Sequence, residues 1–448
     1  MNIGLFTDTY FPQINGVGTS TYTLAKELRS LGHNVYIFTP TDPKNVLENE
    51  QGVIRMPSMP CIFIHQYRFG VVYSPKTLKK IAKLHLDIIH TQTEFSLGIF
   101  GKTLSKAFGI PMVHTYHTMY EDYVHYIVNG ALITKSMSHS FSRIFCNFAR
   151  ECIAPTAKVK DSLLQYGVTK PIHIIPTGIN IDKFRKTNYP MADTLKLRSS
   201  FGLNQNHKVI LVLGRIAKEK SIDVIVNSMP EIFQNEPDAR LLIVGDGPGR
   251  AALEKQVNSL EITNRVVFAG AKPWNEIGKY YQLGDIFVSA SISETQGLTF
   301  VEAMAAGLPI VAKKDESIEG VIKNDETGIV FETDDTLAIK ILDILKDNKK
   351  RNYLAKNGAV FAENISAEVF GKSVETVYKN VLETYEGSAM QLHLSHHGIQ
   401  GIYRRAECSL IKIKRKNRKL KHIALKPAKA VIKYIEDKNE NGGTHNDF

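Results

Sequence analysis

Short, β-branched apolar runs alternate along most of this chain with longer segments of helical period. From Asn2 to about Pro176 the runs are NIGLF, NVYIF, DIIH, PMVHTY, CIAP and IHIIP. Such alternation marks a parallel sheet covered by helices. The pattern breaks at Pro176-Thr177-Gly178, crosses a polar stretch from Lys183 to Thr194, and resumes as KVILVLG, RLLIVGDG, RVVFAG, DIFVSAS, LPIVA and GIVFE. A second α/β unit therefore follows a linker, and no short-period repeat of the solenoid kind is present. From Ala367 to Tyr385, Val369, Phe370, Val374, Val377, Tyr378, Val381 and Leu382 keep helical spacing, which predicts a helix placed to pack across both units. The expected division is 1–178 and 179–366 for two Rossmann-like domains, 367–387 for the helix and 388–448 for a tail.

Length agrees with that division, because 448 residues exceed the range over which one hydrophobic core keeps growing. With 43% hydrophobic and 23% charged residues the chain has the make-up of a folded protein and not of a disordered one. The start, MNIGLFTDTYFPQ, lacks a basic segment followed by an apolar one, and no stretch approaches the length of a membrane span, so a cytoplasmic location is expected. The four cysteines, Cys61, Cys146, Cys152 and Cys408, form no C-x-x-C pair or zinc-finger spacing and read as reduced packing thiols. Net charge is +11, but it is concentrated: from Ser388 onward there are 13 Lys/Arg against 5 Asp/Glu, leaving +3 for the preceding 387 residues.

The richest stretch is DIFVSASISETQGLTFVEAMAAGLPIVA, where an apolar strand ends in a polar loop and a helix begins near Gly297. A helix start after a parallel strand offers unpaired N–H groups and a positive dipole end, which suit a diphosphate. Glu294 in the loop and Glu302 on the helix, seven residues between them, are placed to accept hydrogen bonds from sugar and ribose hydroxyls. Left alone, Glu302 would be a solvated helix position; the strand-end location favours a ligand role, because open α/β sheets bind there. The same logic applies to Arg215 and Lys220 in GRIAKEK, directly after VILVL, where two cations can neutralise a diphosphate leaving group. In the opening loop, Thr7 to Gly18, Gly16 lets backbone approach a phosphate or sugar, and the next helix is expected near Thr19.

His114 and His117 end the strand PMVHTYH at the same kind of edge, where a functional or a structural histidine fits. The chain contains no G-x-G-x-x-G fingerprint, no G-x-S-x-G elbow and no G-x4-GK[ST] loop, which disfavours nicotinamide enzymes, serine hydrolases and P-loop enzymes. It also lacks Asp-x-Asp, so no metal and no separate cofactor are expected.

With these residues in view, residues 1 to 385 resemble the retaining GT-B glycosyltransferases of family four. Glu294 and Glu302 match that family's E-x7-E signature, Arg215 and Lys220 its diphosphate-binding pair, Gly16 its N-terminal glycine loop and His117 its active-site histidine. FTDTYFPQINGV and HTYHTMYEDYVHY are most similar to bacterial 1,2-diacylglycerol 3-glucosyltransferases. The resemblance implies two Rossmann-like doubly wound domains facing across a cleft, a UDP-sugar donor, a diacylglycerol or glycolipid acceptor, and retention of configuration. It implies that Glu294 orients the donor sugar, Glu302 the ribose, and His117 lines the sugar site.

Two segments bear on a lipid acceptor. Phe63, Tyr67, Phe69 and Tyr73 precede PKTLKKIAKLHL, a basic helix that fits a membrane interface and an ordinary amphipathic surface equally well. In the tail, twelve Lys/Arg between Arg404 and Lys433 are interleaved with Leu410, Ile413 and Leu420. That composition suits peripheral attachment to an anionic membrane face. The other readings left open are a transferase that extends a glycosylated lipid or glycan and, from the tail alone, a nucleic-acid-binding protein without sequence specificity.

Overall fold

The protein is described by a computed structural model over residues 1–12, 15–42, 51–60, 68–70, 75–118, 135–291, 296–315 and 318–385. Glu294 and the whole of 386–448 fall outside the described residues, as do Phe63, Tyr67 and Tyr73. Met1–Lys102 and Pro111–Tyr385 form one compact unit that holds both sheets.

Each apolar run of the sequence is a strand. The first sheet takes β1 (Asn2–Phe6), β2 (Asn34–Pro40), β3 (Val53–Met56), β6 (Ile88–Thr91), β7 (Met112–Thr115), β8 (Glu151–Ala154) and β9 (Ile172–Ile174) in the order β3-β2-β1-β6-β7-β8-β9, all parallel. The second takes β10 (Lys208–Leu213), β11 (Ala239–Val244), β12 (Val266–Gly270), β13 (Ile286–Ser289), β14 (Ile310–Lys313) and β15 (Ile329–Phe331) in the order β12-β11-β10-β13-β14-β15, again all parallel. The pattern did not announce β3, nor the antiparallel pair β4 (Ser58–Pro60) and β5 (Arg68–Gly70). These are short, and Arg55 interrupts the apolar run of β3.

Both sheets are covered on two faces, so their central strands are buried throughout: Ile3, Leu5, Val209, Ile210 and Leu211 have no exposed surface. In each sheet the chain reverses direction of travel once. The reversal lies between β1 and β6 in the first and between β10 and β13 in the second, and the strand ends beside such a reversal are where doubly wound sheets bind ligands.

Helix Ala367–Thr384 returns to the first sheet. Ser366 caps it by accepting from the Val369 amide, and Phe370, Val374, Val377, Tyr378 and Val381 join Ile3, Leu5, Leu24 and Leu28 in one core. Each of these side chains contributes roughly 1.5–3 kcal/mol of burial. The Tyr378 hydroxyl lies 2.6 Å from His90 Nδ1, and His90 Nε2 is 2.7 Å from the Thr115 hydroxyl. Burial holds His90 well below the usual histidine range, so the ring is neutral. Helix Pro75–Ala82, the basic segment of the sequence, turns Leu78 and Ile81 into the protein. Those two apolar side chains are therefore not available to a membrane.

Replacing Tyr378 by Phe keeps the ring but leaves His90 Nδ1 buried without a partner. We expect a loss of about 1–3 kcal/mol in unfolding free energy, read from urea denaturation.

Candidate functional site

At the first reversal, the loop after β1 is tied to the loop after β6 through Asp8. Its carboxylate accepts from the Thr93 hydroxyl at 2.6 Å, the Leu97 amide at 3.0 Å and the Ser96 hydroxyl, so it also anchors the start of helix Ser96–Phe108. Burial pushes the Asp8 carboxyl up while these donors pull it down. The following helix starts at Gly16 and not near Thr19: Asn15 caps it, its side chain accepting from the Gly18 amide at 2.8 Å. Gly16 is thus the first helical residue, exposed, with no heavy atom within 4 Å of where a Cβ would stand. Nothing in the protein requires glycine there.

Beyond β7, His117 Nε2–H donates to Gln92 Oε1 at 2.8 Å, which fixes the tautomer and leaves Nδ1 as an acceptor. Burial, and then the neighbouring His114, hold His117 down at about 3, so it is neutral across the working pH range. Gln92 is buried, and its Nε2 has no hydrogen-bond partner within the protein. A buried donor of that kind asks for a ligand oxygen. His114, by contrast, is structural: fully buried inside β7, it places Nε2 3.1 Å from Glu94 Oε1 and Nδ1 2.9 Å from the Thr91 hydroxyl.

At the second reversal, β10 and β13 are neighbours, so the loops that follow them meet. Arg215 is exposed, with its guanidinium 4.0 Å from Glu219, and Lys220 ends a short 3-10 turn, Lys218–Lys220. The Ser291 hydroxyl donates to the Glu219 carbonyl at 3.3 Å and joins this turn to the loop that carries Glu294. The cationic loop is also pinned by its other neighbour: Ile216 N donates to the Asp246 carbonyl at 3.0 Å, and a Cβ on Gly245 would run into the Gly214 carbonyl. Helix Leu298–Ala305 starts after Gly297, whose φ of 67° is left-handed and where any Cβ would strike the Phe300 ring. The segments that follow β10 and β13 therefore meet at one strand-end edge, the first carrying Arg215 and Lys220 and the second leading to the helix start after Gly297.

Glu302 is not a solvated helix residue. It is half-buried, accepts from the Tyr281 hydroxyl at 2.6 Å through Oε2, and interacts with the Lys183 ammonium. Burial pushes its carboxyl up to about 7, against the opposing pull of Tyr281 and Lys183. Burial likewise pulls Lys183 down to about 8, and Glu302 raises it. Lys183 sits 3.4 Å from the centre of the Trp274 ring and donates to the Trp274 carbonyl. Tyr281, Lys183, Gln92 and Gln296 escaped the sequence reading. Gln296 stands between Glu294 and Gly297, accepts from the Thr177 amide at 2.7 Å and donates to the Thr177 carbonyl at 2.9 Å.

Residues 14–183 match the family described as Glycosyltransferase Family 4, and residues 193–361 match Glycosyl transferases group 1. The chain is 39% identical over 382 residues to the alpha-monoglucosyldiacylglycerol synthase of Streptococcus pneumoniae, covering 85% of this chain and 86% of that one. It is 34% identical over 392 residues to the enzyme of the same name from Acholeplasma laidlawii, covering 86% and 98%. Among solved structures, Anabaena HepE in complex with UDP and glucose superposes with a TM-score of 0.69 at 20% identity, over 84% of this chain and 99% of that one. Sucrose-phosphate synthase from Thermosynechococcus elongatus gives 0.68 at 23%, over 85% and 99%.

The charge pair on the second lobe is testable by titration. Lys183→Met removes a cation that stabilises ionised Glu302, so the carboxyl should titrate above its present value of about 7. Carbon-13 NMR of the labelled side chain reads the shift, and an unchanged or lower midpoint would contradict the geometry.

Proposed function

Because the chain belongs to the glycosyltransferases of family 4, we propose that it moves glucose from UDP-glucose to the free hydroxyl of 1,2-diacylglycerol with retention of configuration. The product is an α-glucosyl-diacylglycerol. Support for a lipid acceptor comes from the alpha-monoglucosyldiacylglycerol synthases that resemble it over nearly their whole length. The observation that carries the donor assignment is the meeting of Arg215, Lys220 and the helix start after Gly297 at the second reversal. Two cations and an N-terminal dipole there suit the diphosphate of a nucleotide sugar.

In this reading Arg215 and Lys220 stabilise the charge that builds on the leaving diphosphate, and Glu302 accepts ribose hydroxyls through the oxygen that Tyr281 does not occupy. Glu294 orients the donor sugar from the adjoining loop. His117, neutral and with Nδ1 unprotonated, accepts from a sugar hydroxyl, and burial makes it too weak a base to hold the acceptor's proton. The acceptor proton then goes to a phosphate oxygen as the acceptor attacks on the side from which the diphosphate leaves. The cations take the place a metal holds in Asp-x-Asp transferases, so chemistry proceeds without one. Among the described residues no helix is long and apolar enough to cross a membrane.

Purified protein given UDP-glucose and diacylglycerol in mixed micelles with excess EDTA should form the α-anomer of glucosyl-diacylglycerol, identified by mass and anomeric configuration. A β product, strict dependence on added Mn²⁺ or Mg²⁺, or transfer only to an already glycosylated lipid would overturn it. Gly16→Ala should fold as well as wild type, because the added methyl meets no protein atom. By occupying space meant for the donor, it should raise the UDP-glucose KM by at least about tenfold, the equivalent of roughly 1.4 kcal/mol.

A further inference from the structure

Trp274 is the chain's single tryptophan, and its ring lies where the two lobes meet. It opens the short turn Trp274–Glu276 after β12, in the second lobe. Phe11, in the loop after β1, and Tyr22, on helix Gly16–Ser30, belong to the first. The Trp274 ring stands 5.8 Å from that of Phe11 and 6.3 Å from that of Tyr22, edge to face with the latter. The Phe11 and Tyr22 rings are 5.1 Å apart and edge to face with each other. Spacings and angles of this kind hold aromatic rings together beyond what burial alone supplies. Phe11 is fixed in turn, because Arg55 on β3 donates to its carbonyl at 2.6 Å.

The same tryptophan grips Lys183 twice. The Lys183 ammonium rests 3.4 Å from the centre of the indole ring and donates to the Trp274 carbonyl. A lysine on a flexible four-carbon stem is thereby held in one place. From that place it acts on Glu302, whose Oε2 accepts from the Tyr281 hydroxyl. Tyr281, from helix Ile277–Tyr281, supplies the hydrogen bond on this carboxylate, and Lys183, from the turn Ile181–Lys183, supplies the positive charge. The charge matters because an ionised carboxylate accepts from a hydroxyl about twice as strongly as a neutral acceptor does.

We propose that Lys183 and Trp274 are positioning residues through which the first lobe prepares the nucleotide site. Phe11 and Tyr22 seat Trp274, Trp274 holds the Lys183 ammonium beside Glu302, and Glu302 receives ribose hydroxyls at full strength only while that series of contacts stands. That Glu302 meets a ribose rests on the function proposed above; the series of contacts does not. Nucleotide affinity then depends on two aromatic side chains of the opposite lobe that need not touch the nucleotide.

The test uses the full chain and two altered forms, Phe11→Leu with Tyr22→Leu, and Lys183→Met. Tyr22 is 39% exposed and leucine keeps Phe11 apolar, so the first lobe retains its core. Emission of the single tryptophan reports the aromatic contact. Calorimetry with UDP and with 2′,3′-dideoxy-UDP, which lacks the ribose hydroxyls, reports the carboxylate. The Phe11/Tyr22 variant should emit at longer wavelength as the indole gains water. Both altered forms should bind UDP at least about tenfold more weakly than wild type, the scale of one charge-assisted hydrogen bond, and should bind dideoxy-UDP as wild type does. Lys158→Met is the control. It removes a separate contact between the lobes, the 3.2 Å pair with Asp315, and should change neither emission nor UDP affinity. Equal losses for the two nucleotides, unshifted emission in the Phe11/Tyr22 variant, UDP affinity that survives a shifted emission, or an equal loss in Lys158→Met overturns the proposal. Wild type that binds both nucleotides alike, or neither, removes the ribose reading. The contacts are then judged by the Glu302 carboxyl midpoint from carbon-13 NMR, which should rise in both altered forms and whose constancy overturns the proposal.

Discussion

The chain passes between its two sheets twice, and the passages are fastened to each other. Ile179 N donates to the Ile365 carbonyl at 3.1 Å, and Ala367 N donates to the Ile179 carbonyl at 2.8 Å. Gly178 makes this possible, because a side chain there would collide with the Ser366 carbonyl and with Phe370. Thr177, one residue earlier, holds Gln296 through both of its backbone groups and meets the Ser20 hydroxyl at 3.1 Å. The crossing therefore touches the loop of the acidic signature on one side and helix Gly16–Ser30 on the other. A substitution at Gly178 would disturb both strand-end edges without lying in either.

The two edges are built by different physics. The first is a buried network of neutral or hydrogen-bonded groups, in which burial keeps His90 and His117 uncharged and Asp8 is surrounded by donors. Such a surface recognises hydroxyls by geometry and repels no apolar neighbour. The second is openly charged: Arg215 stands in solvent, and Lys183 and Glu302 are drawn toward each other's range by shared burial.

The central strands of both sheets were legible because parallel sheets bury both faces and so write continuous apolar runs, as in VILVL and IFVS. The edge strand Val53–Met56 was not, since an edge tolerates Arg55 in its middle. Of the site, Arg215, Lys220, Glu302 and Gly297 could be found by their position after strands. Their supports could not: Lys183 lies in the linker and Tyr281 in another helix, and only folding sets them beside Glu302. Gly16 opens the helix and does not lie in the loop that the composition of Thr7 to Gly18 predicts, because Asn15 caps the helix directly before it. In helix Lys135–Cys146, Met137, Phe141 and Ile144 are exposed while Ser138 and Ser142 are buried, and periodicity defines two faces without saying which is inside.

Helix Ala367–Thr384 sets an order of events during synthesis. The second sheet is assembled from one continuous stretch of chain, so its contacts can close as that stretch emerges. The first sheet is made earlier but waits for Phe370, Val374, Val377 and Tyr378; the bond from His90 to Tyr378 spans 288 residues. Until those residues arrive, the core around Ile3, Leu5, Leu24 and Leu28 lacks the side chains that the last helix adds to it. The half made first is thus the half finished last, and a ribosome that stalls before Ala367 releases a chain with a closed second lobe and an open, aggregation-prone first one.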